Sequence, residues 1–118
     1  MIKAHKHEEL KTLISELKKL SIENKVKLWK RVAEDLESST RRQRVVNVYK
    51  LARYAKANET IIVPGKVLGT GDLDKAVIVA AYKFSDDAGK KIAEKGKIMT
   101  IEELMKKNPT AKNVRILG

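Results

Sequence analysis

Val77-Ile78-Val79-Ala80-Ala81-Tyr82 is an unbroken apolar run, too short for a membrane span and without the alternation of a half-solvated strand. Continuous apolarity of this length marks a strand covered on both faces, the signature of a sheet with helices on either side. Upstream, Thr60-Ile61-Ile62-Val63 is β-branched and stops at Pro64, which cannot donate to a ladder, so a strand followed by a turn is expected. Val67-Leu68 reads as a second short strand, and Gly69-Thr70-Gly71-Asp72 as a turn. Downstream, Ser85 before Asp86-Asp87 reads as an N-cap with acids in the first helical turn; Ala88 and Ile92 supply the inner face and Gly96 the end. Thr100 with Glu103 forms a capping box for a helix reaching about Lys107. Short strands are expected over residues 97–99 and 114–117.

The first half follows the helical period instead. Leu10, Leu13, Ile14, Leu17 and Leu20 share one face of a helix over residues 7–20. Ser21 and Asn24 punctuate, and Val26, Trp29, Val32, Ala33 and Leu36 restart the period over residues 25–37, with Trp29 in the core. Val45, Val48, Tyr49, Ala52 and Ala55 draw a third stripe, on a helix beginning near Arg44. The expected fold class is therefore α/β: N-terminal helices followed by a compact, irregular strand-strand-helix portion with a small sheet. One domain over residues 1–118 is expected, its 1–57 portion helical and basic and its 58–118 portion an α/β core.

The chain has 118 residues, 42% of them hydrophobic, with a net charge of +11 and no cysteine. A chain of this length buries roughly two-thirds of the surface its unfolded form exposes. Without cysteine there is no disulfide framework, thiolate zinc site, iron–sulfur cluster or thiol nucleophile, and a reducing compartment fits. No apolar run approaches the roughly 18 residues of a membrane span, so a cytoplasmic protein without a membrane partner is expected. The charge is unevenly placed: residues 1–40 carry +2, residues 41–57 carry +6 and residues 58–118 carry +3. Arg41, Arg42, Arg44, Lys50, Arg53 and Lys56 stand in seventeen residues with no carboxylate among them. Cations so crowded repel one another unless an anion is near, and a polyanion is the simplest answer. On a helix, positions 50, 53 and 56 form a cationic stripe, with Arg41 and Arg42 leading in as an arm.

Tyr49 falls on the apolar stripe and is expected in the core, while Tyr54 is equally suited to stacking on an unpaired base. The loop from Val63 to Leu73 carries Gly65, Lys66, Gly69 and Gly71 but lacks the spacing of a phosphate loop, since Thr60 and Val67 occupy its key positions. The dinucleotide fingerprint fails as well, because its third glycine position is Asp74. Those glycines would still let a phosphate approach main-chain N–H groups. His5 and His7 lack a third ligand, so no metal is expected. The pairs Glu8-Glu9, Asp86-Asp87 and Glu102-Glu103 are explained by first-turn helix electrostatics. No nucleophile and base can be assembled, so neither catalysis, a cofactor nor a small-molecule substrate is expected.

Trp29 through Leu36, Arg44-x-x-Asn47, Val63-Pro64-Gly65-Lys66-Val67-Leu68-Gly69-x-Gly71-x-Leu73, Val79-Ala80-Ala81-x-x-Phe84-Ser85, Glu102-Glu103-Leu104, Asn108-Pro109 and Val114-Arg115-Ile116-Leu117-Gly118 occur in that order. In these blocks the chain resembles large-subunit ribosomal protein eighteen-e of the archaeal type, a relative of bacterial large-subunit ribosomal protein fifteen. The resemblance implies a structural protein of the large ribosomal subunit, without enzymatic activity, whose partners are large-subunit ribosomal RNA and neighbouring large-subunit ribosomal proteins. It implies RNA contact by Arg41, Arg42 and Arg44 leading into the third helix, and by the loop around Gly65, Lys66, Gly69 and Gly71. The sequence departs from the family pattern at Gly96, single where a pair is expected, and at Asn113, which lacks neighbouring glycines. A competing reading takes residues 7–57 as a helix-turn-helix DNA reader, although the helix lacks the Asn, Gln and Ser interleaving that base reading needs.

Overall fold

The computed structural model describes residues 2–38 and 44–117, with side chains over residues 8–37 in the first of these segments. Its elements are α1 (Ile2–Asn24), α2 (Lys27–Ser38), β1 (Arg44–Asn47), α3 (Val48–Tyr54), β2 (Thr60–Leu68), β3 (Ile78–Phe84), α4 (Asp86–Lys95), β4 (Lys97–Thr100), α5 (Ile101–Lys107) and β5 (Val114–Ile116). All strand pairs are parallel, in the order β1-β2-β3-β4. β5 pairs with the first half of β2, at residues 60–62, on the same edge where β1 pairs with the second half, at residues 65–68.

Alternation along the central strands divides the apolar residues between two layers. Ile61, Val63, Val67, Val79 and Ala81 pack with Val48, Leu51 and Ala55 of α3 and its C-cap, and with Ala88 and Ile92 of α4. Ile62, Ala80 and Met99 face the other way, against Leu13 and Leu17 of α1, Trp29, Val32 and Leu36 of α2, and Ile101 and Leu104 of α5. Residues 77, 79, 80 and 81 are 0–1% exposed, as expected of a strand covered on both faces. Trp29 is fully buried, and its indole N–H donates to the Pro109 carbonyl at 2.7 Å, so the ring fills the core without stranding its donor.

The local signals behave as read. Ser85 Oγ accepts from the Ala88 N–H at 3.2 Å, and Thr100 and Glu103 exchange both capping-box bonds at 3.1 Å. Gly96 ends α4 where any Cβ would strike the Val77 carbonyl. α1 runs past Leu20 to Asn24, because Ser21 acts within the interhelix turn: its hydroxyl donates to the Val26 carbonyl at 2.7 Å and its own carbonyl accepts from the Val26 N–H at 3.1 Å.

Two expectations are corrected. Pro64 does not end its strand; β2 continues to Leu68. Its missing N–H is harmless because Pro64 lies between the β5 pairing, which ends at Ile62, and the β1 pairing, which begins at Gly65, and at the register shift against β3. The third helix begins at Val48, since Arg44–Asn47 is a strand whose Val46 is buried against the sheet. An open parallel edge on β2 outcompetes helix propensity in this β-branched segment. The inner face of α3 is consequently Val48 and Leu51, and Tyr49, expected in the core, is 54% exposed.

Candidate nucleic-acid interface

Arg41 and Arg42 lie outside the described residues. Arg44 is the first residue of β1, and its Nη2 meets Asp35 Oδ1 on α2 at 3.3 Å, an ion pair in which the carboxylate is largely buried. Much of the Arg44 charge is thus engaged internally, tying α2 to the sheet edge. Lys50 and Arg53 project from α3, and Lys56 follows just beyond its C-cap, Ala55. Arg53 and Lys56 are exposed, Lys50 half-buried, and among the described residues none of the three makes an ion pair. The Arg53 guanidinium lies 5.5 Å from the centre of the Tyr54 ring, which is half exposed.

The glycine loop meets this helix at the carboxyl ends of the strands. The Tyr49 N–H donates to the Thr70 carbonyl at 3.0 Å, so the turn after β2 satisfies one of the open N–H groups in the first turn of α3. Each glycine there is required by packing. A Cβ on Gly65 would fall on the Arg44 carbonyl of the neighbouring strand, one on Gly69 would strike the Asp87 side chain, and Gly71 has φ +104° directly beneath the Tyr49 backbone. The carbonyls of Gly69 and Gly71 both accept from Lys91 Nζ, at 2.6 and 2.7 Å. Lys66 stands in register with Lys83 of β3, whose ammonium lies 5.5 Å from the Tyr82 ring centre. The structure therefore sets Lys50 and the turn of Gly69 and Gly71 near one end of the sheet, places Lys66 within β2 on the face opposite Val67, which packs on α3, and leaves Lys56 at the other end of a helix about 10 Å long.

Several residues near these positions escaped the sequence reading. Lys83 and Lys91 lie outside the charge run and reach the site only through the parallel order of β2, β3 and α4. Arg115, from the last strand, donates to the Tyr54 carbonyl at 2.6 Å and forks onto Glu59 at 2.8 and 2.9 Å. Burial pulls the Glu59 carboxyl up, but the Lys56 backbone N–H and the Arg115 guanidinium outweigh it and hold the group below its ordinary value. The helix-turn-helix alternative finds no support, because α3 has seven residues and buries Val48 and Leu51 against a sheet. No helix among the described residues is long and apolar enough to cross a membrane.

The described residues thus form an open parallel sheet with a group of cations on and just beyond α3. The family model that groups ribosomal proteins fifteen and eighteen-e of the 50S subunit with protein twenty-seven-A of the 60S subunit matches residues 9–97, and the chain belongs to this family of large-subunit ribosomal proteins. Large ribosomal subunit protein eL18 of Methanoregula boonei is 51% identical over 109 residues, covering 92% of this chain and 90% of that protein. The eL18 of Archaeoglobus fulgidus is 50% identical over 109 residues, covering 92% and 93% respectively. That of Sulfurisphaera tokodaii is 40% identical over 106 residues, covering 89% and 90%. The chain is accordingly a structural constituent of the ribosome of archaeal type, and not an enzyme.

Proposed function

We propose that this chain binds large-subunit ribosomal RNA through its basic segment, with Arg41 and Arg42 as an arm, Arg44 anchored at the sheet edge and Lys50, Arg53 and Lys56 reaching phosphates. The turn carrying Gly69 and Gly71 lies beside that helix, and Gly65 and Lys66, in the last part of β2, lead into it as a further RNA contact. We take residues 1–118 as one domain in which the sheet positions the helix, and neighbouring large-subunit proteins as its further contacts in the cytoplasmic ribosome.

The observation that supports this reading is that, among the described residues, Lys50, Arg53 and Lys56 make no ion pair, whereas Lys18 and Lys19 of α1 are paired with Glu37 at 2.9 Å and Glu23 at 3.9 Å. Cations free of an ion-pair partner release condensed counterions from RNA when they bind it, and paired ones contribute less. Binding to transcribed archaeal large-subunit ribosomal RNA over a salt series tests the reading. Replacing Lys50, Arg53 and Lys56 by Gln should flatten the slope of log affinity against log salt by about two to three units. Replacing Lys18, Lys19 and Lys27 should change it much less. Equal losses in the two triple variants would show that the segment is not the contact surface.

A further inference from the structure

At the amino ends of the strands, β2 and β5 enter the sheet side by side, with Thr60 in register with Val114 and Ile61 with Arg115. The chain segments leading into them leave an open groove of about 630 Å³ between residues 56–60 on one wall and residues 112–115 on the other. Three cations, Lys56, Lys112 and Arg115, line it against a single carboxylate, Glu59, which Arg115 holds and whose charge Lys56 also faces. Among the described residues the Lys56 and Lys112 ammonium groups have no ion-pair partner, and both residues are exposed. Between the cations, the polar residues Asn58, Thr60 and Asn113 line the groove.

We infer that this groove holds a second stretch of ribosomal RNA backbone, with Lys56 and Lys112 meeting phosphates from opposite walls. Enclosed small-molecule sites are mostly apolar and bury their ligand; an open groove lined by charged and polar residues suits an extended polyanion whose phosphates and 2′-hydroxyls take up both kinds of group. The groove is also continuous with the helix proposed to bind RNA. Arg115 Nη2 donates to the Tyr54 carbonyl at 2.6 Å, so the wall of residues 112–115 is fastened to the C-terminal end of α3. Arg115 is a positioning residue, since its guanidinium is engaged by Glu59 and Tyr54. One RNA path can therefore run along α3 from the glycine turn into the groove.

The inference rests on the proposed RNA binding, and the test separates the two. Lys112→Gln, at an exposed side chain whose backbone carries the local hydrogen bonds to Asn108, should melt like the parent. On transcribed archaeal large-subunit ribosomal RNA it should flatten the log–log salt slope by about 0.7 to 0.9, the value of one phosphate contact. An unchanged slope for Lys112→Gln, with Lys50→Gln and Arg53→Gln each flattening theirs, overturns the groove and leaves α3 as the contact. Unchanged slopes in all three variants overturn both.

Discussion

The ammonium of Lys91 closes onto the carbonyl oxygen of Gly71 at 2.7 Å and takes the Gly69 carbonyl at 2.6 Å in the same grip. A lysine one turn along α4 from Asp87, which it also approaches at 3.6 Å, is thus bound to the turn that leaves β2, on the far side of β3 in the chain. Through Thr70 and the Tyr49 N–H, that turn fixes the start of α3. The Lys91 ammonium thereby holds the carbonyls of both glycines in position.

Lys91→Met keeps most of the aliphatic stem and removes these charge-assisted bonds. The variant should lose about 1.5 kcal/mol, seen as a Tm lower by several degrees, with faster hydrogen exchange at the Tyr49 amide. Unchanged exchange there would show that the turn holds itself.

Gly65→Ala should lose about 1 to 3 kcal/mol, because the added methyl falls on the Arg44 carbonyl and must push β1 from β2. Its salt slope for RNA should match the parent's, since no cation is touched. A variant as stable as the parent but weaker on RNA would assign Gly65 to the ligand instead of the sheet.

What could be read in advance was what neighbours in sequence decide. The caps at Ser85 and Thr100 are hydrogen bonds spanning three residues, and the apolar run at β3 states its own two-sided burial. β1 and the continuation through Pro64 depend on an edge that exists only once β2 has folded, so residue periodicity gave a helix from Arg44 and placed Tyr49 one face wrong. The same division holds for the cations. Lys50, Arg53 and Lys56 form a charge run in the sequence, whereas Arg115 comes to the start of β2 from 56 residues along the chain, as its pair with Glu59 records.

Val79→Asp should abolish folding. Val79 is fully buried between Ile61 and Ile98 in register, with α3 and α4 over it. An unpaired carboxylate there costs several kcal/mol against a total stability of about 5 to 15. A cooperative thermal transition near the parent's would contradict the burial of this strand.

The Glu59–Arg115 fork gives the protein a pH-dependent contribution of known sign. Glu59 is held below the ordinary carboxylate value in the folded chain, despite burial pulling it up, by the Lys56 N–H and by Arg115. Its unfolded value is about 4.3. A group whose folded pKa is depressed contributes stability that is present above the unfolded value and is lost as pH falls through the folded one. Glu59→Gln should therefore be less stable than the parent at pH 7, by about 1 kcal/mol for so partly exposed a pair. The gap should narrow through the acid range, below about pH 4, as the parent's carboxylate is protonated. Urea unfolding of both proteins from neutral pH down through that range measures the difference directly, and because the other carboxylates are common to both chains they cancel. A gap that stays constant across the range would mean that the glutamine fails for packing or hydrogen bonding, and that the charge of Glu59 adds nothing to holding β5 against the end of α3.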